Sequence, residues 1–245
     1  MTEKLVELLD ARPGERVLEV GTGLGEVGAA VARRVAPGGE VLLTDVSPDM
    51  VAAARTRLGE LPNGSFAIAD ATALQFEDGS FDRAVARFAL MLVPEPAEAF
   101  AELRRVLRDG GRLAFAVWTS APENQWGSAI GHTLLRLGLV EPPEPDSPGP
   151  FRLADPERIR SLLVGSGFRE VALEPVAISM RYDSLEHYWE VTQDLSFSLR
   201  TALAGLSAAD AEHLRDEVTA SLAQYADDDG VAIPGRAWVA AADAI

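Results

Sequence analysis

An apolar run that breaks into three alternating glycines constrains this chain more than any other feature. Val17-Leu18-Glu19-Val20 leads into Gly21-Thr22-Gly23-Leu24-Gly25, and Asp45 closes the next apolar run. The layout reads as strand, tight turn, helix, and a second strand that ends in an acid. It predicts a ligand pocket of nucleotide type at the carboxyl-terminal edge of a parallel sheet. Glycines serve there because, without a Cβ, the backbone can turn sharply and approach a ligand closely. Asp45 stands where it can accept hydrogen bonds from a ribose diol.

The spacing bears on the ligand. A dinucleotide fingerprint, G-x-G-x-x-G, would have its third glycine where this chain has Glu26, and Glu19 lies inside the strand itself. A carboxylate aimed at a pyrophosphate would be repelled, whereas one facing an ammonium and a sulfonium would be attracted. S-adenosylmethionine carries both cations and no phosphate. An NAD(P)-dependent oxidoreductase is the alternative, with Glu26 and Asp70 against it.

The 245 residues suit one sizeable domain, with room for an inserted cap. A formal charge of −16 argues against a nucleic-acid partner, which needs a basic face, and against electrostatic docking on an anionic membrane. Without cysteine there is no disulfide, thiolate metal site or thiol nucleophile. His132, His187 and His213 show no ligand spacing, so no metal is expected. No apolar run reaches the length of a membrane span, and Met1–Lys4 leads into no signal-like stretch, which predicts a cytoplasmic protein.

The first half alternates short strands (Val17–Val20, Val41–Thr44, Ser65–Ala69, Phe81–Phe88, Arg112–Trp118) with helices (Glu26–Val35, Ser47 to about Leu58, Glu95–Leu107). That rhythm predicts a parallel sheet covered on both faces. Ser47 reads as an N-cap with Pro48 in the first helical position, and Arg108–Gly111 as a tight turn. The pattern breaks at about 119–154, with one helix over Gln125–Gly138, and again at 182–230, mostly helical. Between the breaks lie a helix (Pro156–Gly167) and a strand (Phe168–Ala177); Arg236–Ile245 reads as the last strand. The two breaks are expected to be cap segments over the sheet's ligand edge, within a single domain spanning 1–245.

Five stretches in order, Val17–Gly25, Leu42–Met50, Ile68–Ala71, Phe81–Leu92 and Glu102–Trp118, make the chain resemble the class I S-adenosylmethionine-dependent methyltransferases, in their quinone-methyltransferase-like branch. The resemblance implies an α/β Rossmann-like sheet of seven strands, order 3-2-1-4-5-7-6 with strand 7 antiparallel, and helical cap insertions. It implies S-adenosyl-L-methionine as cofactor. Gly21 and Gly23, with Glu19 behind them, would cradle its methionine end, Asp45 would take the ribose hydroxyls and Met50 would pack on the adenine, with Thr22 and Val46 completing the cofactor-binding set. Asp70 and the Ala71 amide would read the adenine edge, and the backbone at Arg87 would face the methionine ammonium. Members of that family often carry more helical residues before strand one than the sixteen that precede Val17, so the site is expected to be open or completed by a second subunit of a homodimer.

Methyl transfer needs position and water exclusion more than a dedicated catalytic residue. The candidates for a base are His187, beside Tyr188 and Trp189, and His132 in the first cap helix. Arg87 could meet an anionic acceptor. Aromatic residues Phe88, Trp118, Trp126, Phe151, Tyr182 and Trp189 would supply apolar walls. The expected reaction is methyl transfer to a small, largely apolar acceptor, aromatic, polyketide-like or quinone-like. A non-methylating member that binds the cofactor structurally and binds or rearranges a ligand is the other reading.

Overall fold

The computed structural model describes the backbone of residues 1–245 and every side chain except those of Leu195 and Phe197. The chain divides into two compact units. One comprises 1–118, 148–176 and 237–245; the other comprises 119–147 and 177–236.

The first unit holds most of a mixed sheet. Strands β1 (Arg16–Val20), β2 (Glu40–Asp45), β3 (Gly64–Ile68), β4 (Phe81–Arg87) and β5 (Leu107–Trp118) are parallel. A short β7 (Ala226–Asp227) pairs with β8 (Gly230–Ala244), and β8 runs antiparallel to β5. With β6 (Phe168–Tyr182) the order is β3-β2-β1-β4-β5-β8-β6. That is the expected order, the small β7 having moved the antiparallel strand from seventh to eighth.

Central strands read as continuous apolar runs because both their faces are covered. Val17, Leu18, Val85, Ala114, Phe115 and Val117 are fully buried. Helices α1 (Thr2–Leu9), α2 (Glu26–Val35), α3 (Pro48–Leu58), α4 (Pro96–Val106) and α6 (Pro156–Gly165) belong to this unit. Leu5, Leu9, Val27, Val31 and Val35 pack with Val17, Val41, Leu43 and Val85 in one core. Ser47 caps α3 as predicted, its hydroxyl accepting from the Met50 amide, and Asp155 caps α6.

The second unit has its own core of Ile130, Leu134, Tyr188, Leu199, Leu214, Val218, Leu222 and Ile233. It is built on α5 (Gln125–Arg136), α7 (Leu185–Leu195), α8 (Phe197–Ala204) and α9 (Ala208–Leu222). Ser184, Ser196 and Ser207 cap α7, α8 and α9 by accepting from amides three residues on. Among the described residues no helix is long and apolar enough to cross a membrane.

Three expected boundaries change. The turn predicted at Arg108–Gly111 is a bulge within β5: Phe81 pairs with Leu107 and Arg83 with Arg112, so the four residues loop out. Gly110, at φ 73°, supplies the bend. The strand expected over Phe168–Ala177 continues to Tyr182, and the last strand starts at Gly230 instead of Arg236. Pairing of Ala226 and Asp227 with Val231 and Gly230 makes the Asp227–Gly230 turn a hairpin, which supports that early start.

Candidate active site

The turn after β1 is stitched to β2 by main-chain and side-chain bonds. The Thr22 amide donates to the Thr44 carbonyl at 2.8 Å, and the Thr44 hydroxyl donates back to the Glu19 carbonyl at 2.7 Å. Asp45 closes the arrangement: Oδ2 accepts from the Gly23 amide at 3.1 Å and Oδ1 from the Ser47 amide at 3.0 Å. One carboxylate thus spans the glycine turn and the entry to α3.

The glycines divide their work. Gly21 sits at φ 68°, and a Cβ there would lie 2.3 Å from the Cβ of Ala89, so the loop packs directly on the segment after β4. Gly23 also has positive φ, but a Cβ on it would meet nothing within 4 Å. The backbone at Gly23 faces open space.

Behind the turn, Glu19 is 2 % exposed. Its Oε2 accepts from the Thr22 hydroxyl at 2.6 Å. Burial pushes its carboxyl up to about 7, against the pull of Thr22, the Gly28 amide and the Arg87 charge. A buried acid held by neutral donors is costly to ionise and gains most from an arriving cation.

A cavity of about 250 Å³ opens here, lined by Glu19, Gly21, Thr22, Gly23, Leu24, Glu26, Arg87 and Phe88. Arg87, at the end of β4, donates to Oε2 of Glu26 at 2.6 Å and to the Thr2 hydroxyl at 2.8 Å. The residues ahead of β1 therefore form α1, whose first residue reaches the Arg87 guanidinium. Phe88 takes φ 57°, rare for an aromatic residue, and its ring lies parallel on Trp118 with centroids 4.0 Å apart.

Large apolar side chains stand exposed around the same strand ends: Leu24 (48 %), Val46 (66 %), Met50 (45 %), Ile68 (61 %) and Leu92 (52 %). Val46 follows β2, Met50 lies in the first turn of α3 and Ile68 ends β3. Between them Asp70 accepts on Oδ1 from the amide and hydroxyl of Thr72, bonds that hold its carboxyl below the ordinary range. The loop beyond is braced by Arg105, which donates to the carbonyls of Leu74 and Phe76.

Glu19, Gly21, Thr22, Gly23 and Arg87 of the expected set thus line one cavity, and Asp45, Val46, Met50, Asp70 and Ala71 continue along the same sheet edge. The histidines belong to the second unit. His187 opens α7, and its Nδ1 lies 3.2 Å from the Asp183 amide and 3.4 Å from Asp183 Oδ2. His132 is exposed in a groove between α5 and α9 with Gln125, Arg136 and Glu217, and His213 is exposed on α9. Among the described residues no cluster of three or more histidines and acids could hold a metal ion.

Two site features escaped sequence reasoning. Glu26 counted only as a missing glycine, although it pairs with Arg87 and, at 3.1 Å, with Arg57. Thr2 carried no signal, because the residue it meets is 85 positions away.

Comparison with known proteins now bears on this geometry. A model described as "Methyltransferase domain" matches residues 18–115. The ubiquinone/menaquinone biosynthesis C-methyltransferase UbiE of Pseudomonas aeruginosa (strain LESB58) is 31 % identical over 178 residues, which cover 68 % of this chain and 70 % of that protein. The chain belongs to the class I S-adenosylmethionine-dependent methyltransferases. The UbiE protein of Teredinibacter turnerae is 39 % identical over 122 residues, 49 % of each chain. Against the first curated relatives it matches, this methyltransferase-family chain spans 32 % to 49 % of their length. The YcgJ protein of Bacillus subtilis shares the fold, with a TM-score of 0.65 at 17 % identity over 100 % of this chain and 98 % of that one.

The residues present fit the cofactor that defines the family. Glu19 offers a buried acid suited to a cation, Gly23 an open backbone, Asp45 a carboxylate at the end of β2, and Val46, Met50 and Ile68 exposed apolar surface beside it.

Proposed function

We propose that this chain transfers a methyl group from S-adenosyl-L-methionine to a small, largely apolar acceptor, aromatic, polyketide-like or quinone-like. The observation that carries the cofactor reading is the buried Glu19 carboxyl beneath the open Gly23 backbone, with Asp45 bound to the Gly23 amide. A pyrophosphate in that cavity would face two carboxylates, Glu19 and Glu26, which speaks against a dinucleotide.

When bound, the cofactor supplies a methyl group already activated on a sulfonium. The protein's part is to orient and to exclude water. Glu19 complements positive charge at one end, and Asp45 fixes the ribose. Phe88, which lines the cavity and is stacked on the buried Trp118 ring, supports an apolar, planar acceptor, since its ring is a rigid aromatic surface. The name of the UbiE relatives, C-methyltransferases of quinone biosynthesis, agrees with an acceptor of that shape. A base is needed only for an acceptor that does not ionise unaided; His187 and His132 are then the residues to substitute first.

Calorimetric titration with S-adenosylhomocysteine, NAD and NADP tests the cofactor. Micromolar binding of the thioether alone is expected; binding of a dinucleotide instead would overturn the reading. Transfer of a labelled methyl group to a hydroquinone or phenol panel tests the acceptor class.

A further inference from the structure

The cavity beside the glycine turn is lined by an acid and a cation that are not bonded to each other. One is the Glu19 carboxyl, buried and hydrogen-bonded by neutral groups. The other is the Arg87 guanidinium, whose side chain is 27 % exposed and whose partner is the Glu26 carboxylate on the first turn of α2. An acid and a cation presented separately within one cavity complement a zwitterion. An α-amino acid is such a group, with an ammonium for the acid and a carboxylate for the cation.

The Glu26 contact is the kind that can be exchanged. Its side chain is 45 % exposed, so its release to water costs little, as for other solvent-facing ion pairs. Glu26 also has a second cation, with Arg57 donating to its other oxygen. Arg87 can therefore give up Glu26 without leaving that carboxylate unpaired. Thr2 meanwhile accepts from the other terminal nitrogen of Arg87, so the fork stays ordered at the cavity wall through the exchange. A guanidinium so held has little rotamer freedom left to lose when a new carboxylate arrives.

We propose that Arg87 receives the α-carboxylate at the methionine end of the cofactor, and that Glu26 is an internal carboxylate standing in its place until the ligand binds. The inference rests on the cofactor reading above. Arg87 thereby acts as a binding residue through its side chain, whereas the family resemblance gives it a role only through its backbone. Glu26 becomes a competitor that sets cofactor affinity.

The test compares two ligands by calorimetry: S-adenosylhomocysteine, and 5′-methylthioadenosine, which has the same adenosyl thioether without the amino-acid end. Arg87→Gln should lower affinity for S-adenosylhomocysteine ten- to a hundredfold and leave methylthioadenosine unchanged, which also shows that the variant is folded. Glu26→Gln should raise affinity for S-adenosylhomocysteine several-fold and leave methylthioadenosine unchanged. Equal losses of both ligands in Arg87→Gln would make Arg87 a structural brace and overturn the proposal, as would no loss of either. A fall in S-adenosylhomocysteine affinity in Glu26→Gln would mean that Glu26 positions Arg87, and the competition would be wrong. If wild-type protein binds neither thioether, it is the cofactor reading that fails.

Discussion

Asp45 and Gly23, 22 residues apart in sequence, are joined by a 3.1 Å hydrogen bond from the Gly23 amide to the Asp45 carboxylate. The bond holds the glycine turn against the end of β2, so the residue proposed for the ribose also shapes the loop proposed for the methionine end. Asp45→Ala should weaken S-adenosylhomocysteine binding by about 1.5–3 kcal/mol, the worth of a charge-assisted hydrogen bond in a partly buried site. Titration calorimetry reads this directly, and unchanged affinity would remove Asp45 from the site.

Glu19 should make both stability and binding depend on pH. Its carboxyl sits at about 7 when folded, against 4.5 for an unperturbed glutamate, and desolvation is the first cause. A raised acid costs stability as pH climbs through the window between those values, because the unfolded chain ionises there and the folded one resists. Glu19→Gln should therefore melt higher than wild type at pH 8, by an amount on the order of 1–3 kcal/mol, and match it near pH 4.5. Affinity for the sulfonium cofactor should rise with pH through about 7 in the wild type and stay flat in the variant. A variant that keeps the wild-type pH profile would clear Glu19 of both effects.

Gly21→Ala and Gly23→Ala should separate folding from binding. The first drives a methyl group into Ala89, with contact at 2.3 Å, and should cost roughly 1–3 kcal/mol of stability. The second meets no protein atom within 4 Å and should cost about 1 kcal/mol for its positive φ, while obstructing the ligand. Thermal melts paired with titrations distinguish them; similar melting losses with similar affinity losses would refute the division.

Arg105 should act at a distance on the adenine end. It clasps the carbonyls of Leu74 and Phe76 and pairs with Glu102 and Asp78, holding the loop that follows Asp70 and Ala71. Arg105→Leu should speed amide exchange across residues 72–79 and reduce cofactor affinity several-fold, with exchange in β1 and β2 unaffected. Exchange as slow as wild type in that loop would leave Arg105 a surface charge.

Elements whose signals are local were readable from sequence. The turn from Val17 to Gly25, the cap at Ser47 and the run of buried β5 residues each announce themselves within a dozen positions. Asp45 was found because strand length and the glycine turn fix where β2 must end. The Arg108–Gly111 bulge was missed because a looped-out segment and a turn share the same glycine chemistry; only pairing with β4 tells them apart. The Glu26–Arg87–Thr2 chain was missed for a deeper reason: its members lie on three elements, and no periodicity links positions 2, 26 and 87.

The antiparallel pairing of β8 with β5 also governs how this chain leaves the ribosome. On the side away from β4, residues 112–118 pair with 237–243, so everything from 119 to 236 must be made before that edge is covered. At about 5–20 residues per second, that leaves several seconds in which the nascent sheet ends in an unpaired strand. That strand carries Leu113-Ala114-Phe115-Ala116-Val117-Trp118, six consecutive apolar residues without a charge. Such an edge is a template for pairing with other chains. The bulge of charged and glycine residues at its entrance, Arg108-Asp109-Gly110-Gly111-Arg112, is the only gatekeeper on its N-terminal side, so synthesis speed and chaperone supply, more than final stability, should set the soluble yield.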